Sequence, residues 1–219
     1  MRNLLVITML MFICACSSQQ IPQWKDSSSR QLQNYKVNFL TDKEDATEPH
    51  FAKAKRDISS NNDLNLLATV YLTKYALHTA ALEDFDDSDF IRIDKLQPNA
   101  VNRSYYYLLK GNFAEVNISK LPSNYSKLFP LMTNKDLIAA VREIASISDP
   151  LPRLIACGIW VKYLSYDESI LQLAIDTAAQ HGWRRPLWSY LTKLQQYYLA
   201  HQEITKAESI KERMELLKK

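Results

Sequence analysis

Glycine is scarce in this chain, and its scarcity excludes several kinds of site. Among 219 residues there are three glycines: Gly111, Gly158 and Gly182. Loops that cradle phosphate need several glycines close together, so that backbone N–H groups can approach the ligand. The wide spacing excludes both the dinucleotide-binding fingerprint and the P-loop. Tight primed hairpin turns also depend on glycine, so its scarcity argues against a β-rich fold.

An excess of one charge is also missing. The chain has 27 Lys and Arg against 24 Asp and Glu, a formal net charge of +3, and the two signs are interleaved. No segment is basic enough to form an electrostatic footprint for nucleic acid. We therefore expect no nucleic-acid partner and an ordinary solvated surface.

Long apolar runs are missing as well, apart from a short one at the N-terminus. Arg2 provides a positive start, and Leu4 to Ala15 follow as about a dozen mostly apolar residues, the length of a signal-peptide core. A membrane span needs about 20 such residues, and no later segment meets that length either. Residues 1–15 are therefore predicted to be a signal peptide.

The end of this run resembles the lipobox of bacterial lipoproteins. Ile13-Cys14-Ala15-Cys16 reads as an aliphatic residue, two small residues and a cysteine. The resemblance implies cleavage before Cys16 and acylation of its sulfur and new amino group by fatty acids such as palmitate; a simple secretory signal is the alternative. A Cys-x-Cys pair beside no histidine lacks the ligands of a metal site. In this family Ser17, rather than aspartate, implies the outer membrane, with the domain expected to face the periplasm.

The segment after the signal peptide is polar and serine-rich. Residues 16–30 are predicted to be the lipidated cysteine and a flexible tether, because they have too little apolar content to fold alone. With Cys14 removed and Cys16 acylated, Cys157 is the one thiol of the folded part, so no disulfide is expected. Its apolar surroundings, "LIACGIW", indicate a buried structural role.

From about residue 31 the apolar residues recur at helical spacing. The pattern predicts an all-α fold of antiparallel helical hairpins, solenoid-like or an irregular helical bundle, with 31–133 and 134–219 forming one continuous domain. Helices are predicted over 63–84, 88–96 and 99–110. Later helices are predicted to begin at these residues: Asn134, Asp149-Pro150, the Ser165–Glu168 capping box, Pro186 and Thr205. Gly111 and Gly182 suit left-handed closing residues.

The last hairpin weakly resembles a tetratricopeptide repeat over residues 186–219. Four residues fit the repeat pattern: Leu191, Leu194, Tyr198 and Ala207. Gln195 and Lys211 depart from it. Residues 64–80 match equally well without the required turn, so the resemblance implies a helical hairpin rather than membership of the repeat family.

An acidic run contains five carboxylates: Glu83, Asp84, Asp86, Asp87 and Asp89. Asp84, Asp86 and Ser88 match alternate ligand positions of a calcium loop. However, Asp89 stands where that loop needs glycine, and Lys95 stands where it needs a bidentate glutamate. We interpret the acids as favourable charges near a helix N-terminus and expect no metal and no cofactor.

The stretch "HGWRRPLW", residues 181–188, is the candidate binding site. Trp183, Arg184, Arg185 and Trp188 form an Arg–Trp grouping of the kind that dominates protein interfaces. Alternatively, the guanidinium groups hold an anion at the helix N-terminus, or the tryptophans only pack the turn. We expect both arginines to be exposed, so that replacing both with alanine weakens partner capture and leaves folding nearly intact.

A possible modification site lies near the middle of the chain. Glu115-Val116-Asn117-Ile118-Ser119 resembles the extended acceptor sequon of bacterial N-glycosylation, with an acid two residues before the asparagine. The resemblance implies Asn117 as the glycosylated residue.

Three functions remain open at this point. The first is a lipid-anchored helical scaffold or adaptor that binds a protein partner in the bacterial cell envelope, with no enzymatic activity. The second is an enzyme acting on peptidoglycan, with Glu83 or Glu168 as the acid, and the third is a carrier of a small ligand or lipid. A deep pocket lined by perturbed groups would favour the last two, and a shallow aromatic groove would favour the first.

Overall fold

A computed structural model describes residues 22–218, and all regular structure in this range is helical. The α-helices in this range are α1 Gln23–Leu40, α2 Glu44–Ser59, α3 Leu64–Ala80, α4 Ser88–Leu96, α5 Ala100–Leu109, α6 Ser123–Ser126, α7 Phe129–Thr133, α8 Leu137–Ser146, α9 Pro150–Tyr163, α10 Glu168–Gln180, α11 Arg184–Ala200 and α12 Ile204–Leu217. The all-α prediction is confirmed. The predicted signal peptide and the lipobox with Cys14 and Cys16 lie outside the described residues.

The helices pack in pairs around one hydrophobic core. Helices α1 and α2 form a hairpin, and α3 packs against α2, α4, α5 and α9. From α9 to α12, each helix packs on its neighbour in sequence. Contacts between α3 and α9, and between α1 and α11, join the N-terminal and C-terminal parts through a shared core.

The crossing of α3 and α9 depends on a glycine. A Cβ atom built on Gly158 would lie 2.1 Å from the carbonyl oxygen of Thr79. Both residues are buried, as is Trp160 two positions after Gly158. Glycine lets two backbones approach this closely because it has no Cβ atom.

The flexible tether predicted over residues 16–30 is wrong from Gln23 onward, where α1 begins. Only one side of α1 is buried, through Ser28, Tyr35 and Phe39, so its remaining positions can be polar. The Ser27 hydroxyl also donates to Asp57 Oδ2 at 2.6 Å, tying the start of α1 to the end of α2. Packing of one helix face stabilises a segment whose composition alone predicts disorder.

Two predicted helix caps are wrong for a common reason, which is that an aspartate lies closer to the first turn. Asn134 ends α7, and Asp136 caps α8 by accepting from the Ala139 N–H. Asp167 caps α10 by accepting from the Ser169 N–H, whereas the Ser165 carbonyl accepts from the Trp160 indole. The aspartate cap predicted before Pro150 is confirmed.

Six helices end in the same hydrogen-bonded turn. In each turn the closing residue has a positive φ, and the next N–H donates to the carbonyl five residues earlier. The closing residues are Asp42, Leu82, Gly111, Lys135, Gly182 and Gln202. This geometry is the Schellman motif, which glycine favours. The sequence therefore predicted a left-handed closing residue at the two glycines and did not predict one at the four other positions.

Candidate functional site

The predicted Arg–Trp grouping lies at the turn between α10 and α11, but its two tryptophans face different surfaces. Gly182 closes α10 with φ +63°, and Trp183 is the N-cap residue of α11. Trp183 lines a groove of about 330 Å³ against Val37 and Leu40 of α1. Trp188, one turn further along α11, lines another cleft. The structure therefore does not bring the two rings into one patch.

The two arginines differ as sharply as the two tryptophans. Arg184 is exposed, with its guanidinium 5.9 Å from the centre of the Trp188 ring. The Arg185 side chain is only 18% exposed and lies over the Phe39 ring at 4.5 Å. Three carboxylates surround Arg185: Glu44 at 3.0 Å, Glu83 at 3.2 Å and Asp42 at 3.5 Å. The expectation that both arginines are exposed is wrong for Arg185, which joins α11 to the α1–α2 turn and to the turn that follows α3.

Arg185→Ala is expected to lower the free energy of unfolding by about 2 kcal/mol, because three carboxylates then lose their shared cation in a half-buried position. Arg184→Ala is the matched control and should change it by less than about 0.5 kcal/mol. Urea unfolding followed by circular dichroism measures both. Equal effects of the two substitutions would contradict the structural role of Arg185.

A cleft of about 610 Å³ opens between α3, α9 and α11, and we call it the Trp188 cleft. One wall is the turn of residues 81–84 that follows α3. Val161, Lys162 and Tyr163 at the end of α9 also line the cleft. The other wall is one face of α11, with these residues: Trp188, Ser189, Thr192, Lys193 and Gln196.

Charged groups of both signs line the Trp188 cleft. Lys162 Nζ donates to Asp84 Oδ1 at 2.9 Å and to the carbonyl of Glu83. The hydrogen bond and the charge of Lys162 lower the pKa of Asp84, so this exposed carboxylate stays ionised. The Lys193 ammonium lies 5.5 Å from the centre of the Tyr166 ring. The cleft thus combines one tryptophan with hydroxyl, amide and ionised groups.

The other acids of the run have structural partners around the start of α4. Asp86 Oδ1 accepts from the Ser88 N–H at 3.0 Å. Asp87 Oδ2 accepts from the Tyr106 hydroxyl at 2.8 Å and pairs with Lys110 at 2.7 Å. Although burial raises the pKa of Asp87, the hydrogen bonds from Lys110 and Tyr106 outweigh it and lower the pKa overall. Within residues 22–218, no three His, Cys, Asp or Glu side chains are grouped to hold a metal ion.

The two glutamates considered as catalytic acids lie in ion pairs. Glu83 contacts Arg185, and its Oε2 is 2.8 Å from His78 Nδ1, although the imidazole is not aligned for a hydrogen bond. Glu168 Oε2 is 3.5 Å from Lys206 Nζ. A catalytic carboxylic acid is usually kept neutral by an apolar site, and neither glutamate has such surroundings.

Asn117 and Cys157 both have structural contacts. The Asn117 side chain is exposed, and its Oδ1 accepts from the Ser119 N–H at 3.1 Å and from the Ser119 hydroxyl at 2.8 Å. Glycosylation of Asn117 stays a prediction. Cys157 is fully buried, and burial raises the pKa of its thiol to about 12. A protonated, inaccessible thiol is unreactive.

Sequence reasoning missed Lys162, Thr192 and Gln196 as members of the cleft. The signal available was weak: Thr192 and Gln196 are polar residues one helical turn apart on the face that also carries Trp188. Lys162 meets Glu83 and Asp84 across almost 80 positions of sequence, and no local pattern reports that contact.

No protein-family model, curated protein or solved structure matches this chain. The resemblances of residues 13–16 to a lipobox and of residues 186–219 to a tetratricopeptide repeat therefore stay predictions. Within residues 22–218, none of the helices is both long and apolar enough to cross a bilayer.

Proposed function

We propose that this chain is a lipid-anchored helical adaptor of the bacterial envelope, which binds an extended segment of a protein partner in the Trp188 cleft. The lipobox resemblance at Cys16 supports the anchor. One observation carries the binding role: a face of α11 with polar side chains around Trp188 lines a cleft.

The composition of this face suits a peptide backbone. Ser189, Thr192 and Gln196 supply hydroxyl and amide groups that can both donate and accept hydrogen bonds. Trp188 supplies a large, rigid apolar surface, the residue type most enriched at interface hot spots. Together they match a ligand that alternates amide groups with side chains.

The shape of the cleft favours a segment of a macromolecule over a small ligand. Sites for small molecules usually enclose most of the ligand surface. The Trp188 cleft, by contrast, is open to solvent rather than enclosed. An open cleft can accept part of an extended chain that continues beyond it.

Trp188→Ala is expected to reduce partner capture at least tenfold, since removing a hot-spot tryptophan commonly costs 2 kcal/mol or more of binding free energy. The measurement is affinity capture by the full chain from detergent-solubilised membranes, with quantitative mass spectrometry of the proteins that co-purify. A thermal melt of each variant checks that folding is intact.

Trp183→Ala is the matched control, because Trp183 lies in the groove beside α1 and outside the Trp188 cleft. Its capture should equal that of the unmodified chain. Capture that survives Trp188→Ala, or that is lost only with Trp183→Ala, would contradict a binding role for the cleft.

A further inference from the structure

One end of the bundle carries the start of the described chain. Helix α1 begins at Gln23, and the Ser27 hydroxyl donates to Asp57 Oδ2, which places the start of α1 beside the end of α2. A four-residue turn then leads from α2 to Leu64 at the start of α3. The first residues of α1 and α3 therefore lie at the same end of the bundle, which we call the anchor end.

The loop between α4 and α5 lies at the anchor end too. The Asn102 side-chain amide donates to the carbonyl of Asn65 at 3.3 Å, which joins the first turn of α5 to the first turn of α3. Helix α4 packs on α3 and ends at Leu96, four residues before α5 begins. The segment of residues 96–101, "LQPNAV", is thus a neighbour of the chain start.

This segment, which we call the 96–101 loop, exposes apolar groups. Leu96 is 76% exposed and Val101 is 50% exposed. Pro98 and Ala100 between them are exposed as well, so four of six consecutive residues present apolar surface to solvent. Single exposed apolar residues are ordinary, whereas a group of them at one site indicates contact with a partner or a membrane.

The length of the preceding chain identifies the membrane as that partner. Five residues, 17–21, lie between the predicted acylated Cys16 and Pro22, so six Cα–Cα steps join the two. At full extension they span at most about 20 Å. An acyl anchor at Cys16 therefore holds Pro22, at the anchor end, within about 20 Å of the bilayer surface, and the exposed leucine and valine lie at that same end.

We propose that the 96–101 loop inserts its apolar side chains into the bilayer interface beside the acyl anchor, so that the anchor end of the bundle lies on the membrane. This inference rests on the proposed acylation of Cys16. The acyl chains supply the membrane affinity, and the short tether gives the loop a high effective concentration at the surface. A small apolar contact then suffices to orient the domain.

The test uses the full acylated chain with Leu96→Cys labelled by an environment-sensitive fluorophore. Labelling is specific, because Cys16 is acylated and Cys157 is buried with its pKa raised to about 12. The labelled chain is incorporated into vesicles of phosphatidylethanolamine and phosphatidylglycerol. We expect the emission to shift to shorter wavelength on the vesicles and to be quenched by spin labels placed in the lipid headgroup region.

Leu216→Cys is the matched control, since Leu216 is 74% exposed on the terminal helix α12. The emission wavelength of a label at position 216 should be the same on vesicles as in buffer without vesicles. A label at position 96 that does not shift on vesicles, or labels at 96 and 216 that shift equally, would overturn the proposal.

A second form of the protein tests the contact of the 96–101 loop with the membrane independently of the proposed acylation of Cys16. Mass spectrometry of the purified chain reports whether Cys16 is acylated, and an unacylated chain overturns the proposed anchor alone. The 96–101 loop is then tested with a hexahistidine tag at residue 16 bound to nickel-chelating lipids in the same vesicles. The shift at position 96 is expected there too, and its absence overturns the loop proposal.

Discussion

Gly158→Ala is expected to destabilise the fold by about 3 kcal/mol, although alanine normally stabilises a helix interior by about 1 kcal/mol relative to glycine. The added Cβ atom would lie 2.1 Å from the carbonyl oxygen of Thr79. That atom belongs to the backbone of α3, so α3 and α9 must move apart to accommodate the methyl group. Urea unfolding of the chain, followed by circular dichroism, measures the change.

Gly182→Ala is the comparison that separates a steric clash of the added Cβ atom from the strain of a left-handed backbone conformation. A Cβ atom at Gly182 would meet nothing within 4 Å, and the strain arises only from φ +63°. The expected loss is about 1 kcal/mol, the usual cost of the left-handed conformation for a residue with a Cβ atom. If Gly158→Ala costs no more than Gly182→Ala, the close crossing of α3 and α9 is wrong.

Cys16→Ala is expected to abolish both fatty-acid incorporation and membrane association. The acyl chains are the proposed anchor, and no helix in residues 22–218 can cross a bilayer. Growth with an alkyne fatty acid, followed by detection of the label and by membrane fractionation, tests this expectation. The chain should move to the soluble fraction without label.

Cys14→Ala is the control for the cysteine pair at the end of the apolar run. The lipobox resemblance assigns Cys14 to the cleaved signal peptide, at a position where a small residue is sufficient. Label and membrane association should therefore persist in Cys14→Ala. Label that persists in Cys16→Ala, or that is lost in Cys14→Ala, would contradict acylation at Cys16.

Much of the fold was predictable because helices depend on local patterns. The helix from Ser88 to Leu96 and the aspartate cap before Pro150 agree with their predictions, since spacing and capping are properties of neighbouring residues. The start of α1 was not predictable from composition, because its stability comes from packing on α2. The left-handed turns at Leu82 and Lys135 were missed because neither residue favours that conformation.

The candidate site was predicted only in part, and helical geometry explains why. Trp183 is the N-cap residue of α11, and its ψ of 86° is not helical, so its side chain does not follow the helical spacing that places Trp188. The adjacent arginines differ by about 100°, so only Arg185 faces α1 and the end of α3. The residue types of 181–188 identified this segment as a candidate site. Which of its side chains share a surface depends on where each residue lies around α11.

The anchor end and the Trp188 cleft lie at opposite ends of α3, so the length of α3 separates them. Helix α3 has 17 residues and is about 25 Å long, with the anchor end at Leu64 and the cleft beginning just past Ala80. With the anchor end on the bilayer, the cleft opens roughly one helix length above the lipid headgroups. On the proposed anchoring, a segment that reaches the cleft would come from the periplasm or the cell wall, and the domain would then bridge two layers of the envelope.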